Sequence, residues 1–470
     1  MTLEERDEPT SALAAGAGRQ RLLVLTPQPP NRSRQGAAIR NWNLLVSLAE
    51  RYDVDLLTFG NPGALRSPQQ TAGQPGEPWR TVVTVPAPQR TIGRRLRTMV
   101  FSRQPDMADR LWSPLFVRQL ALLLRRERYD IVQGEGIELA RYLHLIARAR
   151  PAEARPLIVF DDHNAEYVLQ QRAALTDLRT ARTWFKSLYS LIQWRRLRRF
   201  ERETMRLVNL TACVSEADAA ALQLLAPGRP LIVAPNGVDT TYYARDAIPW
   251  DQDRDLPRFD VLFSGTLDYR PNVDAVEWFV GAVWPLLLHQ QPGRPRRLAL
   301  VGRNPVSEIT RLVLRPGITV TGSVADDRPY FAGATVYVLP MRYGGGVRLK
   351  LLNALAMGCA VVSTTAGAEG MAVRDGEHLL IADTASDFAA AVNRLLGDAA
   401  LRAQLGAAGR AFVQQHFAWA SIVARLEAGY EAAFAIRSSP PATAPLAPPP
   451  DSPAPEPVPD PPPVVETEAR

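Results

Sequence analysis

A run of three glycines ahead of an apolar helical stretch is the feature of this sequence best suited to hold a charged ligand. Gly344, Gly345 and Gly346 precede a helix predicted over Val347–Met357. Glycines leave backbone N–H groups open to a ligand because they carry no Cβ. The N-terminus of the helix adds a partial positive charge, so this stretch predicts a phosphate-binding loop.

Two cations lie in the first turn of the same predicted helix, where the helix dipole opposes positive charge. Arg348 and Lys350 therefore need an anion nearby to be stabilised there. Lysine is otherwise almost absent, since Lys186 is the other lysine among 55 Lys and Arg residues. An ammonium group acts on phosphate as a compact point charge, so we expect Lys350 to bind a phosphate group. The alternative is that Lys350 lies on an ordinary solvated helix face.

The composition is that of a soluble globular protein long enough for two domains. Its 470 residues are 46% hydrophobic and 22% charged. Cys213 and Cys359 each lie in an apolar run, so we expect buried thiols and no disulfide. The five histidines show no ligand spacing such as His-x-x-x-His. We therefore expect no zinc or other metal site.

The net charge favours an anionic partner. The formal charge is +7, but residues 1–10 and 438–470 carry −3 and −4, which leaves about +14 for the remainder. Such a surface suits nucleic acid, anionic lipid or a phosphorylated substrate, and charge alone does not choose among them. The amino end lacks the basic and apolar regions of a secretory signal, and no apolar run approaches the ~20 residues of a membrane-spanning helix. We expect a cytoplasmic protein.

Short apolar strands alternate with helical stretches along most of the chain. This alternation predicts parallel sheets covered by helices on both faces. The strands fall into two series, so the predicted fold class is α/β with two doubly wound, Rossmann-like domains facing across a cleft. Ligands of such sheets bind beyond the carboxyl ends of the strands. The predicted strands are Arg21–Thr26, Val54–Phe59, Thr81–Val85, Ile131–Gln133, Leu157–Phe160, Leu210–Val214 and Leu231–Ala234, then Val261–Ser264, Leu298–Val301, Ile318–Thr321, Thr335–Leu339, Ala360–Thr364 and Leu379–Ala382.

The domain organisation follows from these two series and from the composition of the ends. The last segment is predicted to be disordered because 13 of the 40 prolines fall within it. The predicted segments are a flexible N-terminus (1–19), an N-terminal Rossmann-like domain (20–238), a linker (239–257), a C-terminal Rossmann-like domain (258–417), a terminal crossing helix (418–436) and a Pro-rich tail (437–470).

A second basic region covers Trp184–Arg206, which is predicted to be helical. Aromatic residues that include Trp184, Trp194 and Phe200 stand among its arginines and look exposed. One interpretation is a salt-bridged exterior helix. The other is a cationic surface beside the acceptor entrance that touches an anionic membrane, on its inner face.

Eight motifs in order resemble those of one enzyme family. The chain resembles the retaining glycosyltransferases of the GT-B type, in particular glycosyltransferase family 4 ("glycosyl transferases group 1"), over roughly residues 20–436. The motifs are LLVLTPQPP…QGAAIRNWNLLVSLA, FDDHNAEYVLQQR, ACVSEADAAAL, APNGVD, FSGTLDYRPNVDAVEWF, LVGRNP, VTGSVADDRPYFAGATVYVLP and the glycine-rich stretch through STTAGAEGM.

The resemblance implies an enzyme that moves a sugar, with retention, from a nucleotide-sugar donor to a glycan or lipid-linked acceptor. It implies a role in cell-surface polysaccharide or glycoconjugate synthesis. The donor would be a co-substrate held mainly by the second domain (258–417), and the acceptor would be held mainly by the first (20–238). No further cofactor and no metal would be required. Fixed N–H groups and cations would stabilise the leaving diphosphate, so no protein nucleophile is needed.

The resemblance also implies which residues form the site. His163 falls where the family places a histidine near the transferred sugar; the alternative is a structural histidine at a strand end. Lys350 and Arg348 would meet the diphosphate as catalytic cations. The donor-binding residues that it implies are Gly36, Gly265, Thr266, Arg270, Arg303, Val324, Gly344, Gly345, Gly346 and Asn353.

Two positions depart from the pattern of the family. Its paired glutamates, eight positions apart, correspond to Gly345 and Asn353. An amide offers one acceptor and one donor group where a carboxylate would accept from both ribose hydroxyls, so we expect a weaker donor site. The Arg and Lys of the family after the first strand of the second domain correspond to Thr266 and Pro271, with Arg270 adjacent. Relatives with the pattern Gly-Thr-Leu/Met-x-x-x-Pro-Asn share this second departure.

Other functions are weighed against transfer. The main alternative is a catalytically weak or inactive GT-B scaffold that binds nucleotide sugar. A nicotinamide-dependent dehydrogenase would need Gly-x-Gly-x-x-Gly after the first strand, and TPQPPNRSRQG lacks it. The motifs also favour transfer over a hydrolysing sugar-nucleotide epimerase. A nucleic-acid binder has only the charge in its favour, and we expect no nucleic-acid partner.

Overall fold

The computed structural model describes most of the chain. For residues 37 and 184–188 it describes the backbone alone. The predicted site residues Gly36, Gly344 and Gly345 lie outside the described residues, as do the predicted Pro-rich tail from 439 onwards and most of the predicted flexible N-terminus. The described ranges are 18–30, 37–60, 79–89, 102, 104–149, 151, 154–171, 184–248, 256–289, 295–343 and 346–438.

The first sheet consists, among the described residues, of seven parallel strands. They are β1 (Arg21–Thr26), β2 (Asp53–Gly60), β3 (Thr81–Pro86), β4 (Ile131–Glu135), β5 (Leu157–Asp162), β6 (Leu210–Cys213) and β7 (Leu231–Val233). Their order is β3-β2-β1-β4-β5-β6-β7. The order reverses between β1 and β4, which is where doubly wound sheets bind their ligands.

The second sheet has, in the same described ranges, six parallel strands. They are β8 (Phe259–Ser264), β9 (Leu298–Val301), β10 (Ile318–Gly322), β11 (Ala334–Leu339), β12 (Val361–Ser363) and β13 (Leu380–Ile381). Their order is β10-β9-β8-β11-β12-β13, so the reversal lies between β8 and β11. The apolar strand interiors are buried, as expected for a parallel sheet covered on both faces.

Helices connect the strands and cover both sheets. A π-helical turn (Phe279–Val283) joins α7 to α8, and short 3-10 turns occupy Arg245–Ala247 and Arg311–Leu314. The α-helices are α1 (Ala37–Ala49), α2 (Asp106–Asp109), α3 (Pro114–Arg126), α4 (Ala140–Ala149), α5 (Trp184–Leu207), α6 (Glu216–Leu225), α7 (Arg270–Trp278), α8 (Trp284–His289), α9 (Ser307–Thr310), α10 (Arg328–Gly333), α11 (Leu349–Ala356), α12 (Thr365–Ala368), α13 (Ala385–Gly397), α14 (Ala399–Phe417) and α15 (Trp419–Ser438).

The last helix returns to the first sheet. Helix α14 packs on α11 beside the second sheet, whereas α15 packs on α1 and on β5, β6 and β7. Ile422, Leu426 and Tyr430 of α15 are buried in the core of the first sheet. The chain thus passes between the two sheets once through residues 239–257 and once at the junction of α14 and α15.

The predicted fold class is confirmed, because two doubly wound parallel sheets are present and a terminal helix crosses between them. Every predicted strand exists, with ends shifted by at most two residues. One local prediction is wrong: α11 begins at Leu349, so Arg348 precedes the first turn and lies at the N-cap, with extended backbone. The domain boundaries stay a prediction. Among the described residues, no helix combines the length and the apolar character needed to cross a membrane.

Candidate active site

A cavity of about 700 Å³ lies between the two sheets. Ile39 and Asn43 of α1 line one wall, and the carboxyl ends of β8 and β9 with the start of α11 line the other. This position and volume are those of a small-molecule site in a doubly wound fold. The predicted site residues that line the cavity are Gly265, Thr266, Arg303, Val324, Lys350 and Asn353.

Other predicted site residues do not line this cavity. Arg270 is the first residue of α7 and is exposed. Arg348 turns towards α12, where its Nη2 lies 3.4 Å from the Ala366 carbonyl oxygen and 4.0 Å from Glu369 Oε2. Gly346 lies just before Arg348 in a left-handed conformation, with φ of +76°. The donor roles predicted for these residues stay predictions.

Lys350 is one of the two predicted cations that line the cavity, with Arg303. Its ammonium donates a hydrogen bond to Asn272 Oδ1 and lies 4.6 Å from the centre of the Phe263 ring. Met341 Sδ is 3.9 Å away and is a weak acceptor. Burial, and then the charge of Arg348, lower the pKa of Lys350 to about 7. The free protein therefore holds this amine close to its titration point.

Two glycines allow the loops after β8 and β9 to approach each other. A Cβ on Gly302 would lie 1.7 Å from the carbonyl oxygen of Gly265, which no side chain could tolerate. A Cβ on Gly265 would lie 2.9 Å from Lys350 Nζ. Because both positions lack a Cβ, the backbone of the two loops lies close to the Lys350 ammonium. A phosphate group could approach all three closely.

His163 belongs to a different cluster, at the carboxyl edge of the first sheet. Its Nε2 lies 3.0 Å from Glu135 Oε2, at the end of β4, and it does not line the cavity described above. Burial would lower the pKa of His163, but the hydrogen bond to Glu135 and the charge of Asp161 outweigh it and raise that pKa. Burial and the nearby Asp161 raise the pKa of Glu135 as well.

A buried ion pair and a chain of hydrogen bonds hold this cluster. Arg40 of α1 donates to Asp161 Oδ2 at 2.8 Å and to the Pro235 carbonyl oxygen at 3.0 Å. On the other side, Gln133 Nε2 donates to Glu135 Oε1 at 2.7 Å, and Tyr430 of α15 donates to Gln133 Oε1. The position of His163 is therefore linked to both α1 and α15.

Glu135, Asp161 and His163 also have the donor types of a metal site. One ligand atom from each lies within 4.8 Å of the other two, in the part of the chain that the structure describes. However, the guanidinium of Arg40 already pairs with Asp161. A fixed positive charge at this distance opposes a metal cation, so we interpret the group as a hydrogen-bonded network that orients His163. Whether the protein needs a metal stays a prediction.

The far end of the cavity carries a carboxylate that sequence reasoning missed. Tyr243 hydroxyl lies 3.3 Å from Asp327 Oδ1, and both residues line the cavity near Val324. Burial, and then the charge of Asp326, raise the pKa of Asp327. The residue is the N-cap of α10. A pair of acidic residues between a strand and a helix was its signal in the sequence.

Helix α5 confirms only part of the expectation for the second basic region. Arg195, Arg198 and Arg199 are exposed, whereas Phe200 is buried in the core of the first sheet. The expectation of an exposed Phe200 is wrong because that face of α5 packs inwards. The side chain of Trp184 lies outside the described residues. Arg148 Nη2 also lies 2.5 Å from Glu203 Oε1 in an exposed ion pair, as a salt-bridged exterior helix would have.

Two family models match most of the described fold. Residues 34–242 match the one described as "Glycosyltransferase Family 4", and residues 258–398 match "Glycosyl transferases group 1". Together the two matches take in every strand of both sheets except β1, and residues 243–257 lie between them. The chain belongs to the glycosyltransferases that these two models describe. The predicted family resemblance is therefore confirmed.

Known proteins similar to this glycosyltransferase include one curated relative, the "Uncharacterized 44.6 kDa protein in cps region" of Klebsiella pneumoniae. It is 30% identical over 148 residues, which is 30% of this chain and 38% of that relative. The matched region therefore spans well under half of the relative.

Solved structures with the same fold cover nearly the whole chain. Sucrose-phosphate synthase from Thermosynechococcus elongatus has 19% identity and a TM-score of 0.59, over 89% of this chain and 100% of that one. HepE from Anabaena, in complex with UDP-glucose, has 16% identity and a TM-score of 0.51, over 87% and 99%. WaaG, a glycosyltransferase involved in lipopolysaccharide biosynthesis, has 14% identity and a TM-score of 0.54, over 89% and 100%. At these identities the likeness concerns the fold.

Proposed function

We propose that this protein transfers a sugar from a nucleotide-sugar donor to a glycan or lipid-linked acceptor, with retention at the anomeric carbon. The observation that carries the proposal is the cavity between the sheets, into which Lys350 projects beside two closely approaching glycine loops. A relative of the same fold was solved with UDP-glucose, which supports a donor of that chemical class.

In this proposal the protein acts on the leaving group. Cleavage of the glycosyl–phosphate bond leaves its electron pair on the diphosphate, whose negative charge rises. The ammonium of Lys350 and the N-terminus of α11 stabilise that charge in a partly enclosed site. The acceptor oxygen attacks the same face of the sugar, and its proton passes to the departing phosphate oxygen. No covalent bond to the protein forms.

His163 lies at the carboxyl edge of the first sheet, and in this proposal it orients the sugar or acceptor. Its hydrogen bond to Glu135 orients the imidazole, and the raised pKa favours the protonated form. A protonated imidazole donates hydrogen bonds to hydroxyl oxygens and stabilises negative charge. It would not serve as a general base while the charge of the cluster is maintained.

Three observations support the acceptor class and the cellular role. Exposed arginines on α5 form a cationic strip beside the first sheet, which would suit contact with anionic lipid at the inner face of the membrane. WaaG acts in lipopolysaccharide biosynthesis, and the Klebsiella relative is named from a cps region. We therefore propose that the acceptor is a lipid-linked molecule or a glycan in the synthesis of a cell-surface polysaccharide. The enzyme itself would be cytoplasmic and peripheral to the membrane.

A thermal-shift screen over nucleotide sugars tests the donor proposal. A donor present at 100 times its dissociation constant should stabilise the protein by about 2.7 kcal/mol. The stabilising donor is then assayed for release of nucleoside diphosphate with and without a lipid-linked acceptor. Stabilisation without turnover would favour the inactive scaffold, and no stabilisation by any donor would contradict the proposal.

Co-sedimentation with anionic vesicles tests the membrane contact. Binding should be strong at low salt and weaker at ~0.15 M salt, because salt screens exposed charges. Replacing Arg195, Arg198 and Arg199 by Gln should remove it, with neutral phosphatidylcholine vesicles as the control surface. Equal binding by the parent and the triple variant would exclude α5 as the contact.

A further inference from the structure

Asn272 holds Lys350, the side chain in the cavity on which the proposed chemistry depends most. It is the third residue of α7 and is 3% exposed. Its Oδ1 accepts a hydrogen bond from Lys350 Nζ, and its Nδ2 donates to the carbonyl oxygen of Thr266 at 2.8 Å. One amide thereby ties α11 to the loop after β8, across 78 residues of chain.

The other surroundings of Lys350 do not fix the direction of its ammonium. The Phe263 ring lies 4.6 Å away and offers only the diffuse attraction of an aromatic face. Met341 Sδ, at 3.9 Å, is a weak and distant acceptor. Among the residues that the structure describes, the hydrogen bond to Asn272 is the directional contact of this ammonium.

The neutrality of Asn272 matters as much as its position. An ammonium has three donors, and an amide oxygen occupies one of them while leaving the positive charge uncompensated. A carboxylate at the same place would form an ion pair and would compete with any phosphate for that charge. Asn272 therefore holds Lys350 without reducing its attraction for an anion.

We propose that Asn272 is a positioning residue that directs Lys350 towards the donor diphosphate. Lys350 would then supply the positive charge that the loop after β8 lacks at Thr266 and Pro271. This inference rests on the proposed donor site. The corresponding positions in that loop are Thr266 and Pro271, which carry no charge, and Arg270 is exposed and does not line the cavity. The geometry thus leaves Lys350 to meet the diphosphate from that side.

A purely structural role is the competing explanation. The bond from Asn272 to Thr266 would hold the loop after β8 whether or not Lys350 binds anything. A half-buried amide with a structural hydrogen bond exists elsewhere in the chain: Asn209 Oδ1 accepts from the backbone N–H of Ile158 at 2.9 Å, in the first sheet. Asn209→Ala is therefore the matched control for the loss of a structural amide.

Nuclear magnetic resonance on lysine tests the contact without any donor, because the chain contains only Lys186 and Lys350. Protein labelled with 13C at lysine Cε gives two signals, which Lys186→Arg assigns. In Asn272→Asp the midpoint of the Lys350 titration should move to higher pH, and in Asn272→Ala the Lys350 signal should shift. Asn209→Ala should leave it in place. An unmoved Lys350 signal in both Asn272 variants would overturn the proposal.

A double-mutant cycle tests the consequence for phosphate binding, with UDP and GDP as the probes. Asn272→Ala should weaken the tighter of the two about five- to tenfold, the effect of one lost hydrogen bond. Asn272→Asp should weaken it at least as much, although it holds Lys350 more tightly. In a Lys350→Met background, Asn272→Ala should have no further effect, because the two residues act as one unit. Additive losses would assign Asn272 a structural role and overturn the proposal.

The two experiments separate this inference from the donor proposal. If neither nucleotide binds the parent protein, the donor site is wrong, and the resonance experiment alone decides whether Asn272 positions Lys350. If nucleotide binds and the cycle is additive, the donor site stands and the positioning role does not.

Discussion

His163 and Lys350 are both ionisable side chains enclosed by the protein, one on each sheet, yet their pKa values move in opposite directions. Two carboxylates, Glu135 and Asp161, surround His163, and they raise its pKa against the effect of burial. An amide, an aromatic ring and a thioether surround Lys350, and burial lowers its pKa to about 7. The first charge is compensated within the protein, and the second is not.

The difference indicates which of the two sites awaits a charged ligand. The cluster around His163 already contains its counter-charges and the cation Arg40, so an added ion would disturb it. An anion beside Lys350 would raise its pKa and favour its charged form. A diphosphate group would provide that anion, whereas the hydroxyl groups of a sugar suit the first site better.

The largest expected effect comes from removing the cation of the compensated cluster. Arg40→Met would leave Asp161 buried and unpaired, so we expect the free energy of unfolding to fall by about 3–5 kcal/mol. Urea unfolding of both proteins measures this. The matched control is Arg148→Met, whose ion pair with Glu203 is exposed and should contribute about 1 kcal/mol or less. Equal losses in the two variants would show that the buried pair contributes no more to stability than the exposed one.

Lys350→Ala tests the uncompensated site. Without the ammonium the leaving diphosphate loses one charge-stabilising donor, so kcat/KM should fall by an amount equivalent to about 2–4 kcal/mol. Steady-state turnover of the nucleotide sugar measures it. Lys186→Ala, which removes the other lysine, should leave turnover unchanged. Turnover by Lys350→Ala at the parental rate would remove Lys350 from the mechanism.

Asn353→Glu sharpens the comparison by adding a counter-charge to the cavity. A carboxylate there accepts stronger, charge-assisted hydrogen bonds from ribose hydroxyls than an amide does. We therefore expect nucleotide binding to tighten by about 1–2 kcal/mol in isothermal titration calorimetry. Asn353→Gln, which keeps the amide at greater length, should not tighten it. Weaker binding by Asn353→Glu would indicate that the residue faces the diphosphate and not the ribose.

The pH dependence of donor binding should follow Lys350. Its pKa in the free protein, about 7, lies below the ordinary value of 10.5, so the amine is mostly neutral above pH 7 and must take up a proton when a diphosphate binds. Affinity should be highest below pH 7 and should fall by up to about tenfold per pH unit above it. Calorimetry with UDP-glucose suits the test, since its diphosphate diester keeps a constant charge over this range.

Two observations check the pH prediction. Calorimetry in buffers with different ionisation enthalpies should report proton uptake near pH 8 in the parent protein. Lys350→Met should bind more weakly, and its affinity should no longer depend on pH in this range. A pH dependence that survives in Lys350→Met would belong to another group, such as Asp327.

The sequence predicted the fold well because its strands are short apolar runs that are buried on both faces. Leu22 to Leu25 in β1 and Leu298 to Val301 in β9 are examples. Short, continuously apolar runs of this kind are typical of strands inside a parallel sheet. The motifs also predicted much of the cavity wall, since loops after strands at the point of reversal must converge.

The partners of the charged residues could not be predicted in the same way. Arg40 and Asp161 are 121 positions apart, and Lys350 and Asn272 are 78 apart. Residue type and local spacing hold no information on which strand ends meet across a sheet. The start of α11 was misplaced because its N-cap, Arg348, is not one of the residue types that cap helices with a side-chain hydrogen bond, and it makes no such bond.

The two passages of the chain between the sheets lie side by side, and this has a mechanical consequence. The N–H of Val238 donates to the carbonyl oxygen of Phe417 at 2.9 Å, and Val238 forms a bridge with Ala418. Two crossings tied together at this point resist sliding of one sheet past the other. Gly237, Val238 and Trp419 line the cavity at this tie. A rotation of one sheet against the other about the tie would change the width of the cavity least there and most at the opposite end.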